Sequence, residues 1–170
     1  MTDAPPAIPR PSQLWKQLSP ERKLQAADAF WRDENAAVEQ AEAIATIAQR
    51  IKFRAKSVIG MSAEKKAKHL ATLTGVSELV AARLLVAYHL AQQRPMMASF
   101  LDALGIKHDE GLIEDEDVQA PTPEALKGAA RVLAAAYPAE EVSLYLSTLI
   151  WQDPETWGAL AEAPETTVTT

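Results

Sequence analysis

The chain contains no cysteine in its 170 residues. This absence excludes disulfide bonds, thiol catalysis, zinc ribbons and iron–sulfur clusters. Glycine is also scarce, and its six residues match no phosphate-binding loop, dinucleotide fingerprint or nucleophile elbow. No Glu-x-x-His pair occurs, so the usual ligands of a di-iron helical bundle are missing. These absences favour a protein with no cofactor, no metal and no catalytic activity.

Strand patterns and long apolar runs are lacking too. No segment of four to eight residues alternates polar and apolar side chains in the way that a strand does. The longest apolar run carries Arg83 and is too short to cross a bilayer. The N-terminal residues have no apolar stretch of the kind found in secretory signals. We therefore expect a cytoplasmic protein without a membrane partner.

What the chain does contain is helix-forming sequence, rich in alanine and 48% hydrophobic. The segment Glu78–Gln93 is apolar nearly all round, which is typical of a buried central helix. We predict an all-α fold, a single-domain bundle of about seven to eight helices around the central buried helix 78–93. This domain should span residues 13–162, between disordered tails at residues 1–12 and 163–170.

Helix starts are marked by recurring local signals. Ser19-Pro20-Glu21, Thr122-Pro123-Glu124 and Asp153-Pro154-Glu155 each combine an N-cap, a proline at the first helical position and an acid. With these signals, the helical period predicts helices at about 20–32, 34–53, 62–73, 78–93, 95–104, 123–136, 139–152 and 154–161.

Two helix faces carry further expectations. In the helix at about 34–53, a narrow seam for close packing is predicted at Ala37, Ala41, Ile44, Ala48 and Ile51. In the helix at about 95–104, the soft apolar face is Met96, Met97, Phe100, Leu101 and Leu104. Core filling is the favoured use of that second face, and an exposed methionine-rich binding surface is the alternative.

The charge is distributed unevenly along the chain. Residues 1–107 hold 15 Lys+Arg against 10 Asp+Glu, whereas residues 108–170 hold 2 against 13. The positive charge concentrates in Arg50, Lys52, Arg54, Lys56, Lys65, Lys66 and Lys68, opposed within that stretch only by Glu64. Such a cluster is either a solvated helix surface, which is the favoured interpretation, or a face that binds a polyanion.

The segment 106–121 shows no helical period and is longer than an ordinary connection. Loops of this length are usually functional or disordered. Its acidic residues could hold a hard cation, but they lack the alternation and the central glycine of an EF-hand. A solvated acidic loop is therefore the favoured interpretation.

One local motif points toward nucleic acid. The run Thr72-Leu73-Thr74-Gly75-Val76-Ser77, followed by Ala81, Arg83, Leu84 and Leu85, resembles the helix-hairpin-helix family in residues 73–85. Two positions depart from the family pattern, because Thr74 replaces its proline and Ser77 replaces its second glycine. The same run also resembles a helix-turn-helix, although its second helix offers no groove-reading donors.

The helix-hairpin-helix resemblance implies contact with nucleic-acid phosphates without reading of sequence. It implies phosphate donors at the backbone amides of Gly75, Val76 and Ser77, supported by Lys65, Lys66 and Lys68. A tight pair of helices with a capping serine is the structural alternative.

Three functions remain open from the sequence. A non-enzymatic helical protein-interaction or scaffold module, with a protein partner or self-association, is favoured. Sequence-independent nucleic-acid binding through the turn at 73–85 is the alternative. An enzyme or metal protein built on the acidic loop comes third.

Overall fold

The structure, a computed structural model, describes residues 7–167. It confirms the all-α class, with ten α-helices and one short hairpin in that range. The helices are α1 Pro11–Gln17, α2 Pro20–Arg32, α3 Ala37–Ile51, α4 Ala55–Ile59, α5 Ala63–Ala71, α6 Glu78–Gln92, α7 Arg94–Leu104, α8 Pro123–Ala136, α9 Ala139–Gln152 and α10 Pro154–Trp157. The strands are β1 His108–Asp109 and β2 Leu112–Ile113, and 3-10 turns follow at Gly158–Glu162 and Pro164–Thr166. The count exceeds eight because the short helices α1 and α4 add to the eight predicted above.

The described residues fall into two compact units of opposite charge. The basic unit is Arg10–Gln92 and contains α1–α6. It holds 13 Lys+Arg against 8 Asp+Glu, a net charge of +5. The acidic unit comprises residues 7–9 and 93–167, with α7–α10 and the hairpin. It holds 4 Lys+Arg against 14 Asp+Glu, a net charge of −10.

Within the basic unit, α6 is the central helix that the sequence predicts. It packs against α1, α2 and α3, and α2 also packs against α5. Leu84 and Leu85 are fully buried, as the prediction of a buried central helix implies. The helix is not buried all round, however, because the side chain of Leu79 is 50% exposed.

The predicted seam of α3 is displaced by one residue. The buried side chains are Ala36, Ala43, Ile47 and Ala48, whereas Ala37 and Ala41 are exposed. Gln40 shows why, since its side-chain amide donates to the backbone oxygens of Phe30 (2.8 Å) and Asp33 (3.0 Å). These bonds fix the rotation of the helix and turn the 36, 40, 43, 47 face inward.

The core of the acidic unit forms between α7, α8, α9 and α10. Phe100 is fully buried and packs edge-on against Tyr145, with 5.6 Å between ring centroids. It also lies 5.8 Å from the Trp157 ring. Because Met96 and Phe100 are fully buried, the soft apolar face of α7 fills a core, which was the favoured of its two uses.

The segment 106–121 is structured in its first half, where β1 and β2 form an antiparallel hairpin. The turn between them has positive φ at Glu110 (48°) and Gly111 (89°), the pattern of the two-residue turns that suit hairpins. Residues 108–113 of this acidic segment therefore have regular structure. The sequence signal for this turn is the pair Glu110-Gly111, but strands of two residues are too short to show the alternation of polar and apolar side chains.

Structured residues occur inside both of the tails that the sequence predicts to be disordered. At the N-terminal end, α1 begins at Pro11, inside the predicted tail 1–12. At the C-terminal end, Thr166 is buried inside the predicted tail 163–170, and its hydroxyl donates to the Leu160 oxygen at 2.6 Å. Residues 1–6 and 168–170, the remainder of the two tails, lie outside the described residues.

Candidate functional site

The three lysines expected to bind phosphate lie on α5. Ser62 caps this helix by accepting a hydrogen bond from the Lys65 amide at 3.2 Å. The Lys66 ammonium lies 4.8 Å from the centroid of the Trp31 ring, a cation–π contact. The Lys68 ammonium lies 3.3 Å from the Glu64 carboxylate. Two of the three charges therefore have a partner in the same unit, although Lys65 and Lys68 are both exposed.

The turn of the resembled motif contains Gly75, Val76 and Ser77. Gly75 does not have positive φ, and a Cβ built on it would meet only Lys16 Cε at 4.0 Å. The turn therefore does not require glycine. The Ser77 hydroxyl accepts a hydrogen bond from the Val80 amide at 3.2 Å and so occupies a donor at the start of α6.

Packing around the turn also differs from a tight helical hairpin. Both α5 and α6 pack mainly against α2 and make few contacts with each other. Ala81 is the small residue that would allow close helix approach in the motif. It is fully buried in the basic unit even though α5 and α6 make few contacts. Its burial therefore has a structural explanation that needs no nucleic acid.

Sequence reasoning missed the contact between the start of α1 and the start of α6. The Glu78 carboxylate accepts hydrogen bonds from the Ser12 amide (3.0 Å) and the Ser12 hydroxyl (2.5 Å). These bonds, with a minor contribution from Arg10 and Lys16, lower the pKa of Glu78. The carboxylate therefore stays ionised beside the amides proposed to hold a phosphate. Ser12 and Glu78 are 66 residues apart, so no local pattern could have indicated the contact.

A different surface of the basic unit combines exposed apolar and basic side chains. It lies where α3 ends and α4 begins, and we call it the basic–apolar surface: Arg50, Lys52, Phe53, Arg54, Lys56 and Ile59. Phe53 is 57% exposed and Ile59 is 59% exposed. All four basic residues are exposed as well.

The local structure explains why these side chains point outward. Lys52 adopts the left-handed conformation (φ 58°) at the end of α3, and the Phe53 amide donates to the Ala48 oxygen at 3.0 Å. This closing turn directs the chain away from the helix axis at Phe53. Val58 is fully buried and anchors α4, which leaves Ile59 in solvent.

An exposed surface of the acidic unit combines acidic and apolar side chains. We call residues 108–117 the acidic hairpin, because β1 and β2 continue into the run Glu114-Asp115-Glu116-Asp117. Leu112 is 41% exposed and Ile113 is 40% exposed. All four acids of the run are exposed, and the Glu114 carboxylate lies 3.6 Å from the Lys107 ammonium.

The hairpin is held against α7 by a small set of contacts. His108 Nε2 lies 2.7 Å from Asp102 Oδ1, and its Nδ1 accepts a hydrogen bond from the Gly111 amide at 3.0 Å. Gly111 is buried so closely on α7 that a Cβ there would lie 2.7 Å from Met97 Cβ. The hairpin therefore presents its exposed residues from a fixed base.

Three further observations bear on function. Among residues 7–167, no helix combines the length and the apolarity needed to cross a membrane. In the same range, no three His, Asp or Glu side chains are grouped as metal ligands. Comparison with protein-family models, with curated proteins and with solved structures finds no match to this chain.

Proposed function

We propose that this chain is a non-enzymatic protein-interaction module that binds an acidic partner segment through the basic–apolar surface. The observation that carries the proposal is the exposure of Phe53 and Ile59 among four exposed basic residues. Single exposed apolar residues are ordinary, but an exposed aromatic side chain beside arginine is typical of an interface, where aromatic residues and arginine are enriched.

The physical chemistry of this surface defines its partner. Covering Phe53 and Ile59 would remove apolar area from water, worth about 1.5–3 kcal/mol for each side chain when burial is complete. The four positive charges would attract carboxylates and speed encounter, with a strong dependence on salt. A segment with apolar side chains next to a run of acids satisfies both requirements.

The proposal is tested by photo-crosslinking in the native host cell. A benzophenone amino acid replaces Phe53, and in a matched control it replaces Val132, which is exposed to a similar degree (48%) but lies on α8 without a basic cluster. We expect discrete protein adducts from position 53 and none from position 132. Combining the probe with Arg54→Glu and Lys56→Glu should remove these adducts. A chain without protein adducts at position 53 would overturn the proposal.

Sequence-independent nucleic-acid binding through the turn at 73–85 is the second candidate. Lys16, which lies beside Gly75, favours it by adding a basic side chain to the amides that precede α6. The ionised Glu78 carboxylate opposes it by repelling a phosphate at the same place.

Titration of labelled single- and double-stranded DNA at about 50 mM salt tests this candidate, because phosphate contacts are strongest at low salt. Binding through the turn should be lost in a Lys16→Glu, Lys65→Glu variant and kept in Arg131→Glu, an exposed charge on α8. Gly75→Ala should leave both binding and stability unchanged, since the turn does not need glycine. No binding at micromolar protein would exclude the candidate.

A further inference from the structure

We infer that the partner of the basic–apolar surface is the acidic hairpin of a second copy of this chain. This inference rests on the proposed function and names the partner. Within one copy, Phe53 and Ile59 remain more than half exposed, and Leu112 and Ile113 about 40% exposed. Both surfaces are therefore available to another molecule.

The charges of the two surfaces are opposite in sign, with four basic residues on one and six carboxylates on the other. The basic–apolar surface carries four positive charges within residues 50–59, and the acidic hairpin ends in four consecutive carboxylates at residues 114–117. Bringing opposite charges together across an interface fixes the register and raises the association rate. Docking like surfaces together would instead place like charges face to face, which is costly.

Both surfaces also carry exposed apolar residues. The basic–apolar surface offers Phe53 and Ile59 next to its charges. The acidic hairpin offers Leu112 on one face and Ile113 on the other, because consecutive strand residues point to opposite faces, so one of them would meet the partner. In an interface, aromatic and aliphatic side chains pack together at the centre, and charged side chains form the rim. An acidic segment without apolar residues would leave Phe53 and Ile59 in water.

The hairpin is also prepared for binding, because its base is fixed before any partner arrives. His108 joins Asp102 to the Gly111 amide, and Gly111 lies against Met97 of α7. Little conformational freedom is then lost when the strand residues Leu112 and Ile113 dock, and this lowers the entropic cost of their contact.

The geometry of unlike surfaces determines the assembly. Every copy carries one surface and one hairpin, so association is head to tail unless two copies close on each other. Each contact involves the six residues of the basic–apolar surface and the ten of the acidic hairpin, well below the roughly 20–30 a side of a standard interface. A single contact should therefore be weak, and closure into a dimer or ring would strengthen it through the second contact.

Sedimentation velocity of the full chain at roughly 5 to 200 µM and about 50 mM salt tests the inference. We expect concentration-dependent association that weakens as salt is raised. Arg54→Glu with Lys56→Glu, and separately Asp115→Lys with Glu116→Lys, should each weaken association at least about tenfold by disrupting complementary charges. Arg131→Glu is the control, because it changes an exposed charge outside both surfaces and should leave association unchanged.

Mixing the two charge-reversed variants is the most specific test. The variant with Arg54→Glu and Lys56→Glu keeps a native hairpin, and the variant with Asp115→Lys and Glu116→Lys keeps a native basic–apolar surface. An equimolar mixture should therefore form complexes that neither variant forms alone. All four substituted residues are exposed, and circular dichroism of each variant should match the original chain.

Three outcomes would overturn the inference: a chain that stays monomeric throughout, reversals that leave association unchanged, or a mixture that does not reassociate. A monomeric chain whose position 53 still crosslinks to a different protein would refute self-association while supporting the proposed function. Absence of any protein adduct at position 53 would refute the proposed function itself.

Discussion

At the residue scale, burial separates two leucines of α6 that look equivalent in the sequence. Leu84 is fully buried, whereas Leu79 is 50% exposed. We predict that Leu84→Ala lowers the free energy of unfolding by about 2–5 kcal/mol, because it removes buried methyl groups and leaves a cavity. Leu79→Ala, the matched control in the same helix, should cost less than about 1 kcal/mol. Urea denaturation of both variants measures the difference, and equal costs would contradict the packing of α6.

His89 makes stability depend on pH. Its ring is buried on α6, and burial lowers the pKa of His89 from 6.5 to about 4, although the hydrogen bond to the Leu85 oxygen at 2.7 Å acts in the opposite direction. Between these two values the unfolded chain binds a proton that the folded chain does not. The stability associated with the neutral ring is therefore complete above pH 6.5 and is lost as the pH falls toward 4.

We predict that the free energy of unfolding falls by about 2 kcal/mol from pH 7 to pH 5 through His89 alone. The measurement is the difference between the original chain and His89→Gln in urea denaturation at the two pH values, since other groups titrate equally in both. An NMR titration of the ring gives a second readout that does not depend on the variant's stability. A ring that titrates near pH 6.5 would refute the prediction.

At the element scale, the sequence predicted the helix N-caps but not the rotation of α3 about its axis. Ser19, Thr122 and Asp153 all cap helices as the sequence indicated, each accepting a backbone hydrogen bond at 3.2 Å. A cap depends on residues three positions apart, so a local pattern contains it. The seam of α3 depends on Gln40 contacts with α2, and alanine on both candidate faces gave the hydrophobic period too little contrast to fix the rotation.

The acidic hairpin depends on the glycine at its turn. Gly111 has a φ of 89°, and a Cβ there would lie 2.7 Å from Met97 Cβ and 3.2 Å from the Arg94 oxygen. Gly105 also has positive φ (68°) but has open space around it. Both Gly→Ala variants should incur the cost of a left-handed residue, about 1–2 kcal/mol.

We predict that Gly111→Ala costs about 1–3 kcal/mol more than Gly105→Ala, because only Gly111→Ala adds an overlap with α7. Urea denaturation gives the two costs, and amide hydrogen exchange at β1 and β2 shows whether the hairpin has loosened. Equal costs, with hairpin protection unchanged, would show that the contact with α7 is unimportant.

At the scale of the whole molecule, the sequence revealed the imbalance of charge but not the surfaces that carry it. The residues singled out for binding, Lys65, Lys66 and Lys68, belong to the same basic stretch as Arg54. Lys66 contacts the Trp31 ring and Lys68 pairs with Glu64 on the surface of α5, whereas the exposure of Phe53 depends on the turn that ends α3. Exposure is a property of the packed chain, so composition and spacing could not distinguish the two ends of the stretch.

The division into two compact units leads to a last prediction. The sequence predicts a single domain over residues 13–162, yet the described contacts cluster into Arg10–Gln92 and the remainder. In the basic unit, α6 packs against α1, α2 and α3, and α2 packs against α5, so the contacts that build its interior lie within one continuous stretch. A chain of this length can fold alone, since domains of about 55–65 residues do so.

We predict that the fragment 10–92 is helical by circular dichroism and unfolds in a single cooperative thermal transition. Leu84→Ala introduced into the fragment should lower its midpoint, whereas the exposed-site control Leu79→Ala should change it little, because the same core is being tested. A fragment that is helical but shows no cooperative transition would mean that α1–α6 depend on the rest of the chain for their packing. The protein would then fold as the single domain that its sequence predicts.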